Sequence, residues 1–234
     1  MEYLRLFQTE DAYEKATLNY PSVSLTEDDN VVHFDAASFK YVDLGLSSGT
    51  KWANMNIGAT KETDYGLFFQ WGDTVGYDES TAAAHSSWST CPGNGGASSY
   101  DTSALTTWNT SNLTNNVLNT SVDAAYVHTN GKAKMPTQTQ FQELIDETNS
   151  EWTTIDGVTG RKFTNKTDSS KYIFIPAAGY FNVGSRNYKG SYGFVWSSSL
   201  NDIGGAYNLY FYSSSVDTDN YSRYNAFSVR GVLA

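Results

Sequence analysis

The chain has 234 residues, with 15 Lys and Arg against 25 Asp and Glu, and a formal net charge of −10. This length fits one large domain, or one domain with a small appendage, and an aromatic content of 15% is typical of a folded core rather than of a disordered chain. Such an acidic protein has no long-range attraction for phosphate, which argues against nucleic acid as a partner.

Residues 1–40 are expected to form a small N-terminal docking arm. Residues 9–11 can cap a short helix that runs to about Asn19. Residues 22–25 and 31–34 indicate two short strands around an acidic turn. Two strands and a helix would pack poorly alone. We therefore expect the arm to dock on the main domain or on a neighbouring subunit, which leaves room for a homo-oligomer.

The main domain is expected to span residues 41–234, and it contains one clear helix. Thr137 and Gln140 have the spacing of a capping box, and an apolar face with helical period begins at Phe141. We expect this helix to end near Asn149. Short strands are predicted on either side of it, at residues 42–45, 51–58, 66–72, 161–163 and 172–175.

Residues 74–122 are rich in Ser, Thr, Asn, Ala and Gly and contain few aliphatic residues. This composition favours long loops on a framework, and such loops often carry function. The segment offers few rigid anchors for a ligand, chiefly Trp88, Tyr100 and Trp108. We expect it to lie at the margin of any binding surface or elsewhere.

Three further strands, joined by polar loops, are predicted at residues 193–200, 206–212 and 227–232. Side chains alternate between two faces along the middle strand. The core-like face carries Tyr207, Leu209 and Phe211, and the face expected to be exposed carries Asn208, Tyr210 and Tyr212. Large aromatics supply much of the buried area in a loop-rich fold, so the core is also expected to hold Trp52, Trp71 and Trp196.

Nine short motifs, in their order and spacing, resemble the paralogous surface-protein domain common in Bacteroidetes and Fibrobacter. They lie at residues 42–53, 56–59, 65–66, 69–73, 135–137, 141–144, 176–179, 196–199 and 227–230. That domain is related to formylglycine-generating-enzyme-like proteins with a C-type-lectin fold. The resemblance covers roughly residues 41–234. It implies an α+β, C-type-lectin-like fold that is rich in loops.

The same fold carries the variable proteins of diversity-generating retroelements, including phage tropism determinants. In those proteins adenine-directed mutagenesis rewrites a C-terminal segment, which corresponds to about residues 191–234 here. Mutation of the usual Asn codons cannot yield Lys, Glu, Gln, Met or Trp, and residues 197–234 contain none of these five. A plain loop rich in Ser and Tyr would also satisfy this pattern.

The resemblance implies that this segment displays a diversified ligand-binding surface. Tyrosine gives a large contact area with few rotatable bonds, and short polar neighbours give adaptable hydrogen bonds. A sheet edge with aromatic cross-strand pairs is the alternative reading of these tyrosines. The ligand-binding candidates are Phe194, Asn201, Asp202, Ile203, Asn208, Tyr210, Tyr212, Asp217, Asp219, Tyr221, Tyr224 and Asn225.

Neither catalysis nor a cofactor is expected. Cys91 is the single cysteine, which rules out an intramolecular disulfide and the reactive pair that formylglycine generation needs. The three histidines are scattered, and the Pro-containing carboxylate motifs of Ca²⁺-dependent lectins are missing. Asp202 and the acids of residues 217–220 could offer oxygen ligands, but we interpret them as solvated loop acids and expect no metal.

We therefore expect a protein that recognises a protein or glycan ligand on a cell surface. The segment from Met1 to Phe7 lacks the apolar run of a signal peptide, and no stretch has the length of a transmembrane helix, so membrane insertion is not expected. The protein would be virion-associated, as on a phage tail, or would lie on a bacterial surface. The alternatives are a non-diversified glycan-binding or structural surface protein of the same family, and a degenerate enzyme of the formylglycine-generating type.

Overall fold

A computed structural model of the chain describes residues 23–25, 32–34 and 40–233. Strands make up 40% and helices 19% of it, and the strands form several sheets. The expected α+β, C-type-lectin-like class is therefore wrong, and the described chain is mostly β. The composition accounts for this, because the Tyr, Thr, Val and Phe residues that fill the second half of the chain favour a pleated, half-buried surface over a helix.

The strands are β1 (Val23–Leu25), β2 (Val32–Phe34), β3 (Tyr41–Asp43), β4 (Lys51–Asn56), β5 (Phe68–Phe69), β6 (Leu113–Thr114), β7 (Val117–Leu118), β8 (Ala133–Lys134), β9 (Thr148–Ile155), β10 (Val158–Asn165), β11 (Tyr172–Pro176), β12 (Tyr180–Asn182), β13 (Ser185–Asn187), β14 (Tyr192–Leu200), β15 (Gly205–Tyr212), β16 (Ser215–Ser222), β17 (Phe227–Ser228) and β18 (Arg230–Leu233). The α-helices are α1 (Thr102–Asn112), α2 (Ala124–His128) and α3 (Gln138–Glu147), and short 3-10 turns lie at Ala82–His85, Trp88–Thr90 and Thr120–Val122.

The largest sheet has the strand order β16-β15-β14-β17-β5, and β7 also joins β14. The pairing of β14 with β17 is parallel, whereas β14, β15 and β16 form an antiparallel meander. Two more sheets, β3-β4-β18-β8 and β11-β10-β9, complete the framework. The end of the chain therefore returns to the centre of the molecule, where β18 lies between β4 and β8.

The meander of β14 and β15 is packed on both of its faces. On one face Phe194 and Trp196 join the core around Trp71. On the other, Leu209 and Phe211 join a second core with Trp52 and the apolar side of α3. Because both faces are packed, the β14–β15 hairpin is held rigidly. Its exposed side chains therefore stand on a fixed support.

Buried tryptophans connect the strands through their indole N–H groups. Trp196 Nε1 donates to the Phe69 carbonyl at 2.8 Å, and Trp71 Nε1 donates to the Ser197 carbonyl at 2.8 Å. Trp52, Trp71 and Trp196 are all fully buried. Their predicted place in the core is confirmed.

Several elements agree with the sequence analysis. Helix α3 begins after Thr137, whose hydroxyl accepts from Gln140 N while the Gln140 side chain accepts from Thr137 N, so the predicted capping box is present. Phe141 and Leu144 on its apolar face are fully buried. Strands β1 and β2 pair as an antiparallel hairpin, and the helix expected before them lies outside the described residues.

Two polar segments contain more regular structure than predicted. Residues 74–122, expected to be loops, include the eleven-residue helix α1. Its N-cap is Asp101, whose carboxylate accepts from Ser103 N and Ala104 N, and Leu105 anchors it in the interior. The second segment is β16, expected to be a polar loop, which pairs with β15 over its full length.

Within the described residues, no helix combines the length and the apolar character needed to cross a membrane.

Candidate functional site

The strand register brings most of the predicted site residues onto one face of the meander. Tyr192 lies opposite Tyr212, Phe194 opposite Tyr210, and Tyr210 opposite Asp217. Directly opposed residues in antiparallel strands point to the same side of the sheet. This face therefore gathers, from three strands, the side chains of Tyr192, Phe194, Asn208, Tyr210, Tyr212, Asp217, Asp219 and Tyr221.

The β12–β13 hairpin and the loop after it extend this face with two further tyrosines. The Tyr180 ring lies 5.9 Å from the Tyr221 ring, centroid to centroid, and the Tyr188 ring lies 4.7 Å from the Tyr192 ring. We call the six side chains the tyrosine face: Tyr180, Tyr188, Tyr192, Tyr210, Tyr212 and Tyr221. All are partly exposed, and Tyr188 is 55% exposed.

The rings of the tyrosine face form a continuous array. Tyr192 stacks on Tyr212 with centroids 5.2 Å apart and an interplanar angle of 28°, and on Tyr210 at 5.8 Å and 29°. The rings of Tyr210 and Tyr212 lie 5.7 Å apart. Offset and tilted contacts at these distances are the arrangements that aromatic quadrupoles favour. The array thus presents a broad aromatic surface whose rings restrict one another.

Burial and neighbouring negative groups raise the pKa of two phenols of this array, Tyr210 and Tyr221. Burial, followed by the charges of Tyr192, Tyr221, Tyr212 and Asp219, raises the pKa of Tyr210 to about 12. The pKa of Tyr221 is also raised, mainly by burial and then by Tyr180 and Asp219. The phenols of Tyr210 and Tyr221 are therefore neutral at physiological pH and able both to donate and to accept hydrogen bonds.

Three of the predicted ligand-binding residues are buried, and this part of the prediction is wrong. Phe194 is 1% exposed, Asn208 0% and Asn225 2%. Phe194 supports the rings of Tyr210 and Tyr221 from below, with centroids 5.3 Å away in each case. Alternation along a strand predicts which side a residue points to, but the depth of cover on that side depends on the neighbouring strands.

Asn201, Asp202 and Ile203 form a second group in the turn before β15, near Tyr221, which lies opposite Ala206. They precede β15, whereas Tyr212 ends it, and a strand of this length spans roughly 25 Å. With Thr106 of α1 and its neighbours they line a cleft of about 460 Å³. Asp202 Oδ1 accepts from Gly204 N at 2.8 Å, so this carboxylate shapes its own turn.

Tyr224 follows β16, three residues after Tyr221. It is partly exposed, and burial followed by the neighbouring Tyr188 and Tyr224 raises the pKa of Tyr180. Its carbonyl accepts from Gln70 Nε2 at 2.7 Å. The backbone of Tyr224 is therefore anchored to Gln70.

The remaining groups with potential chemistry are not assembled into a reactive site. Cys91 is 2% exposed, and burial raises the pKa of its thiol to about 12, so it stays protonated. Among the described residues, no three His, Cys, Asp or Glu side chains lie together as a metal ion would require.

Sequence reasoning missed Tyr180, Tyr188 and Tyr192. Tyr192 had a usable signal, because it precedes Phe194 by two residues and so shares its face of the same strand. Tyr180 and Tyr188 had none, since they come from a separate hairpin that only the tertiary structure brings to this sheet. Tyr188 has φ of 58°, a left-handed conformation that few non-Gly residues adopt.

Comparison with known proteins gives one family. Residues 126–232 match a domain of unknown function, DUF8237. The matched part contains every residue of the tyrosine face and leaves out residues 74–122. No curated protein and no solved structure matches the chain.

Proposed function

We propose that this protein is a ligand-binding protein that recognises a protein or glycan receptor through the tyrosine face. The observation that carries the proposal is that six partly exposed tyrosines, from the β14–β16 meander and the β12–β13 hairpin region, converge on one rigid surface. Aromatic side chains with few rotors, held in place before binding, lose little conformational entropy when a ligand arrives.

The support beneath the face strengthens this reading. Phe194 and Phe227 lie directly under the rings, with centroids 5.0 Å apart, and both belong to the main core. A sheet edge that only needed aromatic cross-strand pairs would not require two further tyrosines, Tyr180 and Tyr188, from another hairpin. We therefore favour a binding surface over a purely structural aromatic edge.

We further propose that the face is diversified, as in variable proteins of diversity-generating retroelements, on a phage tail or a bacterial surface. Tyr210, Tyr212, Asp217, Asp219 and Tyr221 all lie in the stretch that contains no Lys, Glu, Gln, Met or Trp. Together with Tyr192, which lies before this stretch, they are the large or charged side chains of the meander face that solvent reaches. A change at these positions alters the surface and leaves the core beneath it intact.

The genomic neighbourhood tests diversification. A reverse-transcriptase gene should lie close by, together with a near-repeat of the coding segment for about residues 191–234, and the two copies should differ at adenines. A locus with neither feature would leave the non-diversified surface protein of the same family as the better reading.

Binding itself is tested by a screen against glycans and bacterial surface proteins, followed by paired variants. We expect Tyr210→Ala with Tyr212→Ala to weaken binding of the ligand by about 2 kcal/mol or more, the size of an interface hot spot. The matched control is Tyr126→Ala with Tyr172→Ala, two partly exposed tyrosines elsewhere. If the control pair abolishes binding and the first pair does not, the site is not the tyrosine face.

A further inference from the structure

The meander that carries the tyrosine face has acidic residues but no basic ones. Strands β14, β15 and β16 contain two carboxylates, Asp217 and Asp219, and no Lys or Arg. Asp217 lies opposite Tyr210, and Asp219 lies opposite Asn208, so both carboxylates are on the side of the rings. The protein as a whole carries a net charge of −10. The negative potential of the whole protein therefore adds to the negative potential that Asp217 and Asp219 produce at the tyrosine face.

Neither carboxylate forms an ion pair with any residue that the structure describes. Asp217 Oδ1 accepts from Thr218 N and Asp219 Oδ1 accepts from Asn220 N, each at 2.8 Å. These are contacts with the following residue of the same strand. They leave the second oxygen of each carboxylate available.

Basic side chains that flank the tyrosine face or contact its strands are engaged elsewhere. Arg186 and Lys189, which flank Tyr188, both form ion pairs with Glu79. Arg161 comes from β10, on the opposite side of the meander, and donates to the carbonyls of Tyr212 and Ser215 at 2.9 and 3.1 Å. No cation of the described chain thus neutralises Asp217 and Asp219 directly.

A buried acceptor without a donor lies on the same face. Asn208 is fully buried, its Nδ2 donates to the Asp219 carbonyl at 3.1 Å, and its Oδ1 has no hydrogen-bond partner among the described residues. The Tyr221 ring extends from β16 across β15 to contact Phe194 on β14, so it passes over this amide. An unpartnered buried oxygen is costly to the fold, and its partial negative charge lies beneath the rings.

We propose that the ligand of the tyrosine face is a basic segment of a protein partner, in which a Lys or Arg side chain lies over the tyrosine rings and places its charge between Asp217 and Asp219. This rests on the proposed binding function and narrows it to one chemical class. Cations are attracted to the faces of aromatic rings, and unpaired carboxylates beside the rings add direct attraction and steer the approach of a basic partner. A neutral glycan would stack on the same rings but would leave both carboxylates without a counter-charge.

The raised phenol pKa values agree with this electrostatic picture. Asp219 is among the groups that raise the pKa of both Tyr210 and Tyr221. Burial is the largest cause of both shifts and disfavours a charge of either sign, whereas the contribution of Asp219 is the part that favours a positive charge beside the rings.

The probe is a fluorescein-labelled peptide, Gly-Arg-Gly-Arg-Gly, with binding to the full chain followed by fluorescence anisotropy at low and physiological salt. The same peptide with Glu in place of Arg, and the neutral sugar maltohexaose, are tested in parallel. We expect the Arg peptide to bind, the Glu peptide not to bind, and affinity to fall as salt screens the carboxylates. Maltohexaose should not compete.

Two pairs of variants locate the binding. Asp217→Asn with Asp219→Asn keeps the shape of both side chains and should weaken binding about tenfold or more. The control is Glu151→Gln with Asp156→Asn, two exposed acids on the β9–β10 hairpin that remove the same number of charges. It should change affinity by less than about twofold, since distant exposed charges are screened. Equal losses from the two pairs would mean non-specific attraction to an acidic protein and would overturn the proposal.

The rings are tested separately from their hydroxyl groups. Tyr210→Phe with Tyr212→Phe keeps the aromatic faces and should retain binding within about threefold, whereas Tyr210→Leu with Tyr212→Leu should lose about tenfold or more. A different result would separate the two proposals: maltohexaose binds, Tyr210→Leu with Tyr212→Leu abolishes that binding, and the Arg peptide does not bind. In that case the tyrosine face is still the binding site. The basic-partner proposal would then be wrong, and the ligand would be a glycan.

Discussion

Phe194 and Tyr210 face each other across β14 and β15 with ring centroids 5.3 Å apart, yet they have opposite roles. Phe194 is 1% exposed and contacts the rings of Tyr180, Tyr221 and Phe227 as well. Tyr210 packs on it and is partly exposed. At the scale of single residues, one layer of aromatic side chains stabilises the fold and the next layer is free to contact a ligand.

This layering makes a prediction about stability. Phe194→Ala should lower the free energy of unfolding by about 3 to 5 kcal/mol, because it leaves a cavity under the tyrosine face. Asp217→Asn, on the exposed strand of the same sheet, should change it by about 0.5 kcal/mol or less. Denaturant titration of the two variants measures both values. Similar losses would show that the two residues are not in different layers.

A second prediction at this scale concerns alkaline pH. The pKa of Tyr210 is raised from 10.0 to about 12, chiefly by burial. The folded state therefore holds the phenol proton more tightly than the unfolded chain does. This contribution to stability is complete below pH 10 and is lost as the pH rises through 12.

Ultraviolet absorbance of tyrosinate, recorded during a base titration, measures this effect. We expect a late-titrating fraction in the wild-type protein that decreases in Tyr210→Phe. Between pH 10 and pH 12, Tyr210→Phe should also lose less stability than the wild-type protein does. Unchanged late titration in the variant would show that Tyr210 is not the perturbed group.

At the scale of elements, the β14–β15 pairing depends on a glycine under an aromatic ring. Gly193 lies opposite Phe211, and a Cβ atom at Gly193 would be 1.9 Å from Phe211 Cζ. Phe211 is fully buried in the core around Trp52, so its ring has little room to move aside. The Phe211 ring covers Gly193, and it belongs to the same core as the apolar residues of α3 and β10.

We therefore expect Gly193→Ala to destabilise the protein by about 1 to 3 kcal/mol through overpacking. The double variant Gly193→Ala with Phe211→Leu should recover part of the stability that Gly193→Ala loses, because the smaller leucine side chain leaves room for the added Cβ atom. Asn220→Ala, at an exposed position of the neighbouring β16, is the control and should be nearly neutral. A double-mutant cycle from thermal unfolding gives the coupling, and strict additivity of the two changes would contradict the contact.

At the scale of the whole molecule, an arginine links the C-terminal segment to helix α1. The Arg223 guanidinium packs against the rings of both Trp71 and Trp108, 4.8 and 4.4 Å from their centroids. Its Nη1 donates to Asn109 Oδ1 of α1 at 2.7 Å. Helix α1 is thereby held against the end of β16 and beside the cleft that Asp202 lines.

Removing this link should loosen α1 more than the framework. We expect Arg223→Ala to leave a space beside the two tryptophans and to raise the rate of limited proteolysis within residues 93–112 about tenfold, since cleavage follows local opening. Lys61→Ala, at an exposed position away from this contact, is the control. Mass spectrometry locates the cuts, and faster cleavage spread evenly along the chain would indicate global destabilisation instead.

Local patterns in the sequence determined a good part of this molecule. The capping box of α3, the period-two alternation of β15 and the burial of Trp196 all follow from residue type and spacing, because each depends on near neighbours or on a large apolar area that must leave water. The same alternation placed Tyr210 and Tyr212 together on one side of a strand.

Only the tertiary structure decided which neighbouring elements cover each face of β15. The polar sequence of β16 forms a strand because β15 offers it a full set of backbone partners, and strand preference depends on such pairing more than on composition. That pairing, with the Tyr221 ring above, buries Asn208 and brings Asp217 and Asp219 beside the rings. Tyr180 and Tyr188 join the face from a separate hairpin, a contact between distant parts of the chain that local sequence patterns do not encode.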